Sequence, residues 1–312
     1  MKTTALLAAG AALLTMTAAP VQAQDGPRVF ERDGSWTLDA GEDSCRLARS
    51  FSDGESSVAL ALERNRLGNG ARLILVGEAL RTFRTAEQIG YRYLPASEAH
   101  DQRTAMFIRS ETPDGQTYLN LGTILLGPNP FTAPPAMVPG REEGAMVLAP
   151  YDRTAEGEFA AGVTGIALNE GMLQPLRIET GSLGGAVEAL QACTDDLLLS
   201  WGLDWEAHRG MSAPVEPIGP AYEWIPGNAV GFGDFAAFGG SRNPFRVMVD
   251  AEGKPTSCHV HWPSLSDSKN EAICKGIMEN GRFHPALDAN GQPMASYWMV
   301  DYFLGLARPF GR

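Results

Sequence analysis

The chain has no cluster of lysine or arginine, only five histidines and four cysteines in 312 residues, and no later apolar run to match the one at its start. Its 25 basic residues are outnumbered by 37 acidic ones, for a formal net charge of −12 at pH 7. A chain without a basic patch cannot neutralise a phosphate backbone, which excludes nucleic acid as a natural partner. It also has no electrostatic attraction to anionic lipid. A phosphate-cradling glycine loop, a dinucleotide fingerprint and a His-Glu-x-x-His pair are all missing, so no cofactor is implied. Cys-x-x-Cys spacing is missing too, which deprives cysteine-ligated zinc of its usual frame.

What is present begins with an export signal. Lys2 precedes an apolar run from Ala5 to Ala19, Pro20 breaks it, and Val21-Gln22-Ala23 supplies a small-x-small cleavage site. Residues 1–23 are therefore expected to be a cleavable signal peptide. The run is shorter than the ~18–20 residues a spanning helix needs, so an uncleaved anchor is the lesser reading. The mature chain is expected in the periplasm or otherwise exported, and not membrane-spanning after cleavage. Cys45, Cys193, Cys258 and Cys274 are an even set, which in an exported chain points to two disulfides. Four cysteines allow three connectivities; locality favours Cys45 with Cys193 and Cys258 with Cys274.

Residues 24–209 read as a β-rich domain with one long helix. Ser35–Leu38, Ser57–Leu62, Arg72–Val76, Thr104–Ile108 and Tyr118–Leu121 read as strands. Leu67-Gly68-Asn69-Gly70 and Thr112-Pro113-Asp114-Gly115 carry turn chemistry. Residues 127–141 form a Pro/Gly loop. Ala186, Leu190, Cys193, Leu197 and Trp201 recur at helical spacing, predicting a helix from about Leu183 to Leu203. Residues 210–243 mix proline and glycine with Tyr222, Trp224, Phe232, Phe235 and Phe238. That is a linker and lead-in whose aromatics are expected to dock in part.

Residues 244–312 predict a small β-β-α-β unit, which makes the fold class α+β. Phe245–Val249 and Ser257–Trp262 flank an Asp250–Lys254 turn, and Ser266–Met278 is helical. An Asp288–Gly291 turn then leads into a closing strand, Tyr297–Phe303. Cys258, Val260 and Trp262 share one face of their strand, and His259 and His261 the other.

The order Asp250-x-x-Gly253, Cys258-x-Val260, Ser264-Leu265-Ser266, Cys274 on a helix, Phe283-x-Pro285-Ala286 and Asp288-x-x-Gly291-x-Pro293 resembles the C-terminal domain of the TonB family. The match covers about residues 216–308. The cysteine-paired variant is similar to exported proteins of alphaproteobacteria. The resemblance implies a non-enzymatic domain that adds a partner strand, such as a short segment of an outer-membrane receptor, to an exposed sheet edge. The edge this implies is the closing strand: Tyr297, Trp298, Met299, Val300, Asp301, Tyr302 and Phe303. Self-pairing, or cover by the N-terminal domain, is the alternative use of that edge. A TonB transducer has an N-terminal membrane helix and a proline-rich spacer. Here a cleavable signal is expected in place of the helix and a β-rich domain of about 180 residues in place of the spacer, so the fold is expected to carry over without energy transduction.

Two further constellations compete. His259-x-His261 could seat copper or zinc with a third ligand such as His284 or Asp288, or could simply face solvent. Thr180-Gly181-Ser182-Leu183-Gly184 echoes a nucleophile elbow without its first glycine, with His208 the nearest base in sequence. Ser182 as a helix N-cap is the plainer role. Glu179-Thr180-Gly181 departs from an aspartic-protease Asp-Thr-Gly at its first residue. An envelope hydrolase or a metal-binding protein is thus the alternative to peptide binding.

Overall fold

The computed structural model describes residues 26–98, 100–128, 151–230, 234, 243–301 and 306. The expected leader, most of the 127–141 loop, Phe232, Phe235 and Phe238, and Tyr302 and Phe303 lie outside them.

The chain opens with four antiparallel strands, β1 (Arg28–Ala40), β2 (Cys45–Ser52), β3 (Ser57–Arg64) and β4 (Gly70–Val76). Next come β5 (Gln88–Leu94), β6 (Arg103–Met106), β7 (Ile108–Glu111) and β8 (Thr117–Leu125). They are followed by α1 (Arg153–Gly162), β9 (Gly165–Leu168), β10 (Leu176–Ile178), α2 (Gly184–Ser200) and α3 (Trp205–Arg209). All ten strands join one sheet in the order β6-β5-β9-β10-β1-β2-β3-β4-β8-β7. Its outer members, β6 and β7, are separated in sequence by Phe107 alone, and the sheet curls until it is nearly closed.

β1 makes the curl possible. Gly34 takes φ +82°, and the register with β2 shifts between Asp33 and Thr37. A bulge of this kind bends a strand and raises its twist. Arg28–Phe30 of β1 pair with a parallel β10, and Glu31–Asp33 and Thr37–Ala40 pair with β2.

Alternation fills the inside. Cys45, Leu47 and Phe51, Val58, Leu60 and Leu62, and Leu73 and Leu75 lie in register on one face and are at most 2% exposed. Each fully buried Leu or Phe contributes about 1.5–3 kcal/mol. Helix α2 covers this face with Val187, Leu190, Cys193 and Leu197. The Cys45–Cys193 disulfide joins it to β2. One ion pair is sealed in the same region. Arg64 of β3 bonds the Glu156 carboxylate of α1, which also accepts from the Tyr151 hydroxyl and from Gln191 Nε2 at 2.8 Å.

A second core follows, built from β11 (Glu216–Pro217), β12 (Pro244–Val249), β13 (Pro255–Val260), α4 (Asp267–Asn280), β14 (Phe283–His284), β15 (Ala286–Leu287), β16 (Pro293–Met294) and β17 (Ser296–Asp301). The strands form a three-stranded sheet, β13-β12-β17, and two short pairs, β11-β14 and β15-β16. Phe245, Val247 and Val249 of β12 pack with Ile273 and Ile277 of α4 and with Phe283. The Cys258–Cys274 disulfide staples β13 to α4. Val215, Trp224 and Ile225, from the Pro/Gly/aromatic stretch, are buried in this core. Two glycines are fixed by close approach. A Cβ on Gly253 (φ +78°) would meet the Phe283 carbonyl at 2.0 Å, and one on Gly276 would meet the Trp224 carbonyl at 2.6 Å.

These elements correct the expected class. The molecule is mostly β, with 40% strand and 21% helix, and its described residues form a nearly closed ten-stranded sheet and four short helices. It is not an α+β pair of a β-rich domain with one long helix and a β-β-α-β unit. The missed elements break the patterns that reveal strands and helices. β2 carries Arg49, whose guanidinium lies over the rings of Trp36 and Phe51 on the apolar side. β5 buries three consecutive residues, Ile89, Gly90 and Tyr91, so it does not alternate. α1 buries Glu156 where an apolar residue would have marked its stripe.

Candidate functional site at the joint of the two cores

Alternation along β12 divides the three-stranded sheet. Phe245, Val247 and Val249 turn toward α4. Arg246 and Met248 turn the other way, beside their register partners His259, Met299 and Tyr297. This second face is only partly open to solvent, with Arg246 buried and His259 42% exposed. It lies on one end of the ten-stranded sheet, where the β1–β2 turn, the β3–β4 hairpin, the end of α2 and helix α3 converge.

Asp43, in the β1–β2 turn, is the hub. Its Oδ1 accepts from Arg246 Nη1 at 3.2 Å, and its Oδ2 lies 2.9 Å from His259 Nε2. Trp201, the C-cap of α2, carries the Arg246 guanidinium 3.9 Å above its ring. The same indole meets Tyr297 edge-on at 5.3 Å and His261 at 6.3 Å. The Tyr297 hydroxyl accepts from the Leu67 backbone N–H at 2.8 Å, and burial raises the phenol's pKa. His208 of α3 stacks on Tyr297. Its Nδ1 bonds the Asp204 carbonyl at 2.6 Å and its Nε2 the Ser296 hydroxyl at 2.9 Å. Burial lowers the His208 pKa. Arg72 of β4 lies 4.3 Å from the centre of the Trp262 ring.

His261 is the anomaly of this joint. It is 0% exposed, and neither ring nitrogen has a hydrogen-bond partner. Its Nδ1 is 3.5 Å from Asp43 Oδ1, within ion-pair reach but not hydrogen-bonded to it. Burial is the main cause that brings its pKa down to about 4; Asp43 opposes this, while Arg246, His259 and Arg66 add to it.

The sequence-predicted residues are distributed as follows. Both disulfides pair as locality favoured. Tyr297, Trp298, Met299, Val300 and Asp301 lie in β17. Trp298 packs on Trp224 and Phe283, at 5.9 and 5.3 Å between ring centres, and Val300 is buried. β17 is an outer member of its sheet, with β12 its only ladder partner among the described residues. The two histidines are not a pair facing solvent, because His261 is sealed inside the joint. His284 and Asp288 do not complete a metal set. His284 sits in the β11–β14 ladder, and the Asp288 carboxylate caps the N–H groups of Asn290 and Gln292. Among the described residues no group of three His, Cys, Asp or Glu could hold a metal ion. At Asp43 the competing occupant is Arg246, already a cation.

Ser182 and His208 are not brought together as a hydrolase pair. Ser182 Oγ donates to the Ala161 carbonyl at 3.0 Å, and both His208 nitrogens are engaged elsewhere. The N-cap of α2 is Leu183, with Ser182 Oγ accepting from Gly184 N–H at 3.3 Å. Sequence reasoning missed Asp43, Trp201, Leu67 and Arg246. Asp43 is 216 positions from His259, and no local signal joins them. Among the described residues no helix is long and apolar enough to cross a membrane. Compared with protein-family models, with curated proteins and with solved structures, the chain matches none of them.

Proposed function

We propose that the protein is a non-enzymatic peptide-binding protein of the periplasm that takes an extended segment of a partner as a new strand beside β17. The observation that carries this reading is the position of β17 at the rim of its sheet. An outer strand presents backbone N–H and C=O groups that a guest chain can pair with. Support from below is firm: Trp298 and Val300 anchor one face of β17 in the second core, and Tyr297 anchors the other on Leu67. A rigid, pre-formed edge spares the ordering cost on its own side of the interface. Two disulfides fit an oxidising compartment, and the TonB-like residue order fits a guest strand from an envelope protein such as an outer-membrane receptor.

The test selects extended peptides from a random display library against the full disulfide-bonded chain. Binders are expected to slow amide exchange across Ser296–Asp301. They are also expected to lose affinity when alternate guest residues are N-methylated, because only every second N–H of a strand points at its neighbour. Binders that leave Ser296–Asp301 unprotected, or a selection that yields none, would overturn the reading.

A further inference from the structure

We infer that the joint between the two cores is an acid-opened latch with His261 as its sensor. The inference stands on geometry and does not depend on the peptide-binding reading. His261 is sealed from solvent with both ring nitrogens unpartnered. A proton added there would create a cation with no water beside it. The groups that face it are Asp43 from the β1–β2 turn, Arg66 from the β3–β4 hairpin, Arg246 from β12 and His259 from β13, while α2 presents the uncharged Trp201. Three of those four titratable groups are basic. Glu42 adds one more carboxylate, felt at Arg246. The nearest anion is Asp43, 3.5 Å from His261 Nδ1, but it is already shared by Arg246 and His259. A closed joint therefore disfavours a charged His261, because that one shared carboxylate does not offset burial and three basic neighbours.

Opening changes this. Once the three-stranded sheet parts from the end of the large sheet, the imidazole is hydrated and takes a proton with the ordinary affinity of about 6.5. His261 binds its proton less readily in the closed state, with a pKa of about 4. Closure is thus fully favoured above the open-state value and loses ground as pH falls from there toward about 4. One proton taken up on opening shifts the equilibrium about tenfold per pH unit within that window. His208, on the far side of Tyr297 with Asp204 and Ser296 as its partners, is also buried with a lowered pKa and acts in the same direction.

The test is amide hydrogen exchange of the full oxidised chain between about pH 7 and about pH 4.5, corrected for the intrinsic pH dependence of exchange. Protection at Leu67, whose N–H is bonded across the joint to the Tyr297 hydroxyl, is expected to fall by about ten- to a hundred-fold on acidification, while the β12–β17 ladder keeps its own. The inner strands β3 and β4 should keep theirs. His261→Phe and His261→Gln, neutral at every pH, are expected to remove most of that fall. The latch is overturned if wild-type protection at Leu67 is flat with pH. It is equally overturned if both variants lose protection as steeply as the wild type.

Discussion

A single buried carboxylate shows how much one residue can decide. Glu156 is 0% exposed and receives Arg64, Tyr151 and Gln191. Coulomb attraction in this setting is offset by the desolvation of both ions, so the pair adds little net stability. Removing one partner is different, because it strands the other charge. Glu156→Ala is expected to cost about 3–5 kcal/mol in urea unfolding by leaving the Arg64 guanidinium buried and alone. Replacing both Arg64 and Glu156 with apolar residues of similar volume should cost far less. Glu156 was not legible in sequence, because a glutamate on a helix ordinarily reads as solvated surface. Cys45 and Cys193 were legible, since a cysteine on an apolar helix stripe calls for a partner. The split of Cys258 and Val260 from His259 also followed from period two. What covers the histidine face did not, because its partners come from the other end of the chain.

At the scale of elements, local chemistry was readable wherever a turn dictated it. Asp250 to Lys254 closes the β12–β13 hairpin, with Asp250 Oδ1 accepting from the N–H groups of Glu252 and Lys254. The Leu67–Gly70 hairpin and the helix now seen as Gly184–Ser200 were equally plain. Strands β2 and β5 and helix α1 were not, because each puts a charged residue inside or an apolar one on both faces. Covalent staples act at this level too. The Cys258–Cys274 bridge closes a 16-residue separation and Cys45–Cys193 one of 148. On the chain-entropy model these restrict the unfolded state by about 3 and about 5 kcal/mol. Cys45→Ala/Cys193→Ala is therefore expected to lower the unfolding free energy more than Cys258→Ala/Cys274→Ala, as denaturant midpoints will show. The reverse order would mean that the longer bridge is strained or that the unfolded chain is already compact.

For the whole molecule, the question is whether two cores behave as one. The joint gathers Asp43, Trp201 and Leu67 from the first core, and Arg246, His261 and Tyr297 from the second. Trp201 touches Arg246, His261 and Tyr297 at once. Trp201→Ala should cost less than the ~3–5 kcal/mol of a fully buried Trp, because the ring is only partly buried. It should also divide a single calorimetric transition into two, one for each core. A single transition at reduced temperature would show that the cores remain coupled without that ring. The large sheet has its own seam, where β6 and β7 meet across Phe107. Its deeper constraint lies elsewhere. β1 finds its parallel neighbour only at Leu176–Ile178, and Cys45 its thiol partner only at Cys193. A chain delivered N-terminus first must therefore hold β1 and β5 without their final neighbours, β10 and β9, until more than half of its length has emerged. The run from β1 to β8 can pair as it arrives, but the two edges that β1 and β5 present stay open to unwanted pairing until β9 and β10 follow.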